Sequence, residues 1–218
     1  MEISGIDLEI IPNGIDLAKY SSLPLKGQFR KKYSIKNNEK LILYLGRLHS
    51  RKGIDLLISA FSQILKELGD ARLIIAGPDN GFLPAIKRQM INLNLGDKIL
   101  LTGPLYEKDK VEAFVDADIY VLPSIYEAFP VSVLEAWACC KPVVVTTKCG
   151  IVDYVKEAGA VVEYDENQLR DSIIRILKDE GLKKQFGFEG RLLVEEKFNW
   201  DKIIKKIEDL YTIVSAVG

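Results

Sequence analysis

The stretch Ser124–Val145, SIYEAFPVSVLEAWACCKPVVV, decides how the rest of the chain is read. It opens where an apolar run, IYVLPS (Ile119–Ser124), stops at a turn-like loop, and it closes on a second run, PVVVTT (Pro142–Thr147). Between them lie twelve residues, Phe129 to Cys140, of which only Ser132 and Glu135 are polar. Pro130 suits the first turn of a helix, where its missing N–H costs nothing. Val131, Leu134, Glu135 and Ala138 then share one helical face. A carboxylate on an otherwise apolar helix is costly unless something pairs with it. Glu127 stands eight residues before Glu135. Eight residues of helix rise about 12 Å, so the two carboxylates are expected to bracket a ligand-sized gap. The alternative is a buried helix with one satisfied core glutamate and one loop glutamate.

Outward from this stretch the chain repeats one unit: strand, glycine-containing loop, helix. LILYLGR (41–47), ARLIIAG (71–77), KILLTG (98–103), IYVLPS, PVVVTT and a short AVVEY (160–164) read as six strands. Their near-continuous apolar character marks strands covered on both faces, hence a parallel sheet. Helices are expected at 54–68, 83–94, 108–116, 167–179, 181–197 and 200–215, with a short one at 28–33. Residues 1–40 read as an irregular, interdomain-type linker with a turn at Pro12-Asn13-Gly14, and 41–218 as one Rossmann-like domain with a helical tail. The predicted fold is α/β, a doubly wound parallel sheet in the order 3-2-1-4-5-6.

Composition narrows the function classes. With 48% hydrophobic and 28% charged residues, the chain is an ordinary globular protein able to bury a sizeable core. Thirty basic residues against thirty-one acidic ones leave −1, so no overall field draws nucleic acid or an anionic membrane. The N-terminus, MEISGIDLEI, lacks the basic start and apolar core of a signal peptide, and a cytoplasmic location is expected. Cys139, Cys140 and Cys149 read as reduced thiols rather than a disulfide or metal set. His49 is the only histidine and reads as a solvent-facing loop residue.

In a doubly wound sheet, ligands bind beyond the carboxyl ends of the strands where the order reverses. Here that is the crevice between strands one and four. Strand one exits into Gly46-Arg47-Leu48-His49-Ser50-Arg51-Lys52-Gly53, and strand four into the Glu127 loop. Gly46 permits close backbone approach, while Gly53 and Pro130 each open a helix whose free N–H groups favour an anion. Two such helix ends with Arg47 and Lys52 suit a diphosphate. Glu135 suits a vicinal diol such as ribose, because a carboxylate accepts two O–H bonds.

Together GRLHSRKGIDLLISAF, LIIAGPD and the run from ILLTGPLYEKDK to PVVVTT resemble the nucleotide-sugar-binding half of a retaining GT-B glycosyltransferase of the glycosyl transferases group 1 family. The family's E-x7-E motif is matched by Glu127 and Glu135, and the likeness extends over roughly residues 8–215. The resemblance implies that Arg47 and Lys52 hold the donor diphosphate and that Glu135 binds ribose. It places Glu127 beside the donor sugar, with backbone N–H groups of Phe129, Pro130's neighbour Val131 and Ser132 contacting sugar and phosphate. Backbone at Leu105 and Tyr106 would meet the base. The implied partner is a UDP-, GDP- or ADP-sugar, with neither cofactor nor metal. Cys140 stands where the family often has glycine, Lys148-Cys149-Gly150 replaces a common Gly-Gly, and Asp153 replaces a glutamate. An N-terminal acceptor domain, through which any membrane contact would come, is implied but absent from this stretch of sequence. Two functions stay open: the donor-binding part of a transferase, inactive without that half, or a nucleotide-sugar-binding module acting with a partner chain. A dehydrogenase is disfavoured because no G-x-G-x-x-G follows strand one.

Overall fold

A computed structural model describes residues 9–217; the first eight residues of the stretch read for a signal peptide, Leu8 included, lie outside the described residues. Six strands form one all-parallel sheet in the order β3-β2-β1-β4-β5-β6, as expected. The strands are β1 (Lys40–Leu45), β2 (Ala71–Ala76), β3 (Ile99–Gly103), β4 (Ile119–Leu122), β5 (Val143–Thr146) and β6 (Gly159–Val162). β1 and β4 are neighbours, with Ile42 opposite Ile119 and Leu43 opposite Tyr120, so the reversal point sits between them. Nearly every residue of β1, β2, β4 and β5 is buried, which is why their sequences lack alternation.

Several strands end earlier than the apolar runs suggest. At β1 and β2 the chain turns off through Gly46 and Gly77, and at β4 through Pro123, which has no N–H for a ladder. Gly77 takes φ +151°, and a Cβ there would lie 1.8 Å from the Gly46 carbonyl oxygen. Glycine is therefore what lets the two loops meet.

The helices are α1 (Gln28–Lys32), α2 (Ile54–Leu68), α3 (Leu83–Asn92), α4 (Glu107–Asp116), α5 (Val131–Ala138), α6 (Val152–Ala158), α7 (Glu166–Lys178), α8 (Glu180–Lys197) and α9 (Trp200–Val217). α6 was not expected. It is one short stretch whose apolar residues Val152, Val155 and Ala158 recur every third position, too few to mark a helix between two buried strands. Asp153, in its first turn, is exposed and pairs with Lys156.

α5 carries the organising stretch. Pro130 is its N-cap rather than its first helical residue, and Trp137 is fully buried, donating its indole N–H to the Ala158 carbonyl at 3.2 Å. Trp137 stacks with Phe198, which is core packing and not a ligand platform. α8 approaches α5 through Gly187 and Gly190; a Cβ on Gly190 would stand 2.0 Å from the Trp137 ring. Cys140 follows α5 with φ +55°, so the family's frequent glycine there relieves a backbone strain that this chain retains.

The segment before β1 is packed onto the same core: Ile15, Tyr20 and Phe29 are all buried. Ile15 bonds in both directions to the α8–α9 junction, through Phe198 and Trp200. Arg30, 4% exposed, donates to the carbonyls of Lys36, Glu39 and Asp116 and to the Asp118 carboxylate. Asp116 answers by accepting from the backbone N–H groups of Gly27 and Arg30. No helix among the described residues is long and apolar enough to cross a membrane.

Candidate functional site

The loops leaving β1, β4 and β5 are tied into one surface at the carboxyl end of the sheet. Ile125 donates its backbone N–H to Arg51 at 2.9 Å, joining the β4 and β1 exits. Glu127 bonds in both directions across to the β5 loop: its N–H reaches Lys148 and its carbonyl accepts from Gly150. A Cβ on Gly150 would lie 1.9 Å from the Ala128 oxygen, so one glycine of the family's usual pair retains its steric role. Gly53 has φ +63°, and a Cβ there would lie 2.0 Å from the Pro123 oxygen. These contacts hold the two helix starts, at Gly53 and Pro130, toward one crevice.

Charge is distributed unevenly across it. Lys52 forms a half-buried ion pair with Glu127, so two predicted residues meet directly. Arg47 is exposed, and among the described residues its guanidinium has no hydrogen-bonding or ionic partner. Its carbonyl accepts from the Tyr44 hydroxyl at 2.8 Å. Burial, aided by the Glu127 carboxylate, pushes the Tyr44 hydroxyl up, so it stays a neutral donor. Tyr120, from β4, donates to the Leu45 carbonyl at 3.0 Å and is hydrogen-bonded to the Ser132 hydroxyl at 2.7 Å, bracing the β1 exit against the first turn of α5. Neither Pro130 nor Gly53 supplies a capping side chain, which leaves first-turn N–H groups available for an anion.

Glu135 lies one helical turn deeper, on the same side as Val131. Its Oε1 accepts from Lys110 of α4 and, at 3.3 Å, from the Tyr20 hydroxyl. Burial and the Glu135 charge raise the Tyr20 pKa, keeping that hydroxyl protonated. Glu135, Val131, Lys110 and Tyr20 line a cavity of about 810 Å³ that runs between α4 and the Gly14–Pro24 segment.

The remaining expected residues divide plainly. Gly46 is half-buried, and what closes on it is the Gly77 backbone. Leu105 is buried while Tyr106, the N-cap of α4, is 69% exposed. The Phe129 ring packs against Phe198, with ring centroids 5.9 Å apart. His49 caps a short 3-10 turn at 50–52, its Nδ1 accepting from the Arg51 N–H at 3.1 Å. Burial pushes the Cys139 thiol up to about 12 and the Cys149 thiol up to about 11, so both stay protonated at neutral pH. The separation of Glu127 from Glu135 is only partly helical, because the helix starts at Val131 and Glu127 sits in an extended bridge to Cys149. The carboxylates nonetheless have different partners and share none. Lys110, Tyr20, Tyr44 and Tyr120 were not expected. Lys110 lies twenty-five residues from Glu135 on another helix, a pairing that no local spacing reveals.

The family model for glycosyl transferases group 1 matches residues 26–193. The chain belongs to that family. An uncharacterised glycosyltransferase of Methanocaldococcus jannaschii is 32% identical over 214 residues, 94% of this chain and 54% of the relative. Sucrose-phosphate synthase from Thermosynechococcus elongatus superposes with a TM-score of 0.83 at 30% identity, covering 96% of this chain and 53% of that one. Anabaena HepE in complex with UDP and glucose shares the fold, with a TM-score of 0.85 at 20% identity over 94% of this chain and 56% of that one. The chain thus spans about half the length of the relatives it matches. It is a group 1 glycosyltransferase domain with the Rossmann-like architecture of one half of a GT-B enzyme.

Proposed function

We propose that this chain is the donor-binding domain of a retaining glycosyltransferase that moves a sugar from a nucleotide-diphosphate sugar to an acceptor hydroxyl. The observation that carries this reading is the Lys52–Glu127 pair standing between two uncapped helix starts at the sheet's reversal point, with Glu135 opening into the adjoining cavity. HepE, which shares the fold, is seen with UDP and glucose. In our reading the diphosphate lies against Arg47, Lys52, Gly46 and the backbone N–H groups from Phe129 to Ser132. The nucleoside enters the cavity, its ribose on Glu135 and its base beside Leu105 and Tyr106, and Glu127 flanks the sugar.

Transfer breaks the bond from the anomeric carbon to the diphosphate oxygen and forms one to the acceptor oxygen, on the same face of the ring. The acceptor's proton passes to the released diphosphate. Negative charge grows on the leaving group, and cations fixed beforehand stabilise it without reorganising at that moment. Here Lys52 and Arg47 supply that charge, so the step as we propose it draws on protein groups and not on a metal ion. We place the activity in the cytoplasm and read residues 1–40 as the connection towards an acceptor-binding half, with Ile15, Tyr20 and Phe29 packed into this domain's core and not free in a linker.

Glu135→Gln tests the ribose assignment. The variant should keep its melting temperature and its affinity for inorganic pyrophosphate, yet lose about ten-fold in UDP, GDP or ADP affinity by calorimetry, the scale of one charged hydrogen bond. Equal loss for pyrophosphate would make Glu135 structural. For the reaction, the chain incubated with labelled nucleotide sugars and candidate acceptor alcohols should transfer nothing until an acceptor-binding half is added. Efficient transfer by this chain alone would refute the division of labour, because attack requires an acceptor oxygen held in place.

A further inference from the structure

Glu135 has two oxygens, and the described residues use one of them. Lys110 and Tyr20 both donate to Oε1, while among the described residues nothing donates to Oε2. The carboxylate is thus held at one corner, and Glu135 lines the cavity.

Both donors are themselves fixed. Lys110 is on α4, whose end is locked to α1 through Asp116. Tyr20 ends a 3-10 turn (Leu17–Tyr20) capped by the Asp16 carboxylate on the Ala18 N–H. Arg191 of α8 donates to the Tyr20 carbonyl at 3.4 Å and to the Ala138 carbonyl, at the end of α5, at 2.7 Å. The turn carrying Tyr20 and the helix carrying Glu135 are therefore clamped by one guanidinium. A free glutamate side chain of this length would sample several rotamers, and fixing one on binding costs conformational entropy. Here that ordering is done before a ligand arrives.

We propose that Lys110 and Tyr20 are positioning residues that present Glu135 Oε2 to the vicinal hydroxyls of a ribonucleotide, and so set this chain's preference for ribose over deoxyribose. The inference rests on the ribose assignment above. Lys110 Nζ has three protons and spends one on Glu135, so it also offers a donor to the oxygen of the second hydroxyl.

The test is a ratio, which cancels any change in diphosphate binding. Calorimetry on the full chain would use whichever of UDP, GDP and ADP binds best, against its 2′-deoxy counterpart. The wild type should prefer the ribonucleotide by at least about ten-fold, one well-made charged hydrogen bond. Glu135→Gln should remove most of that preference, Lys110→Met should reduce it several-fold, and Tyr20→Phe about three-fold, with melting temperatures little changed. Lys110→Arg should restore it, since a guanidinium can still donate to Oε1. If Glu135→Gln collapses the ratio while Lys110→Met and Tyr20→Phe leave it intact, the positioning role is overturned and the ribose assignment stands. If the wild type binds none of the three, or shows no ribose preference, the assignment fails and takes this inference with it.

Discussion

Lys52→Ala should weaken nucleoside diphosphate binding by about 1.5–3 kcal/mol, roughly 12- to 150-fold, the range for hydrogen bonds to charged groups. Two effects act in the same direction. The ammonium that grips phosphate is lost, and Glu127, half-buried and paired with Lys52 in the unliganded chain, is left as a bare negative charge beside the diphosphate. The second effect sets Lys52 apart from Arg47. Arg47 is exposed and has no carboxylate partner among the described residues, so its removal leaves no orphan charge, and water screens what it contributes. Arg47→Ala is therefore expected to lose less, and its loss should shrink further as salt is raised. Calorimetry with UDP and GDP at two ionic strengths measures both. Unchanged affinity in the two variants would remove the diphosphate from this crevice.

Arg30→Ala should destabilise the fold by about 3–5 kcal/mol, the cost of breaking a buried ion pair from one side. The side chain satisfies three backbone carbonyls and the Asp118 carboxylate at once, in a place water does not reach. Removing it strands all of them. Asp118 is partly compensated by Lys183 at 3.3 Å and by the Leu41 N–H at 2.8 Å, which keeps the expected loss near the lower end. For a chain of this size the melting temperature should fall by roughly 10 °C. The contrasting change is Lys32→Ala, two residues away, where the pair with Asp109 is nearly half exposed on both sides. That variant should unfold at nearly the wild-type urea concentration, because solvent screens an exposed pair. Similar losses in the two variants, by urea unfolding, would show that burial does not govern these pairs. The consequence reaches the site, because α1 and α4 are joined through the Arg30–Asp116 contacts and α4 carries Lys110.

The crevice was legible because its parts are punctuated in the sequence. Gly53, Pro130 and the apolar runs flanking them mark where strands end and helices begin, and a parallel sheet leaves one topological place for those ends to meet. Glu135 stood out as a charge on an apolar helix, which physics requires to be paired. Its partners did not stand out. Tyr20 reads as an ordinary apolar anchor in an irregular segment, and Lys110 as one of several charges on a polar helix. Only packing α4 and the 17–20 turn against α5 makes them neighbours of one carboxylate oxygen.

From the sequence by itself came the strand order, the reversal point and the positions of most helices. Each follows from local causes: burial on both faces, helical periodicity, and backbone conformations that glycine and proline allow or forbid. The tertiary structure decided the pairing of charges. Among the described residues, Lys52 is bound to Glu127 while Arg47 has no partner, and one oxygen of Glu135 is occupied while the other is not. It also decided that the segment before β1 belongs to the core, through Ile15, Tyr20 and Phe29. Ion pairs and clamps between elements depend on distances across a packed interior, and the chain separations involved, 75 residues for Lys52–Glu127 and 115 for Tyr20–Glu135, leave no periodic trace.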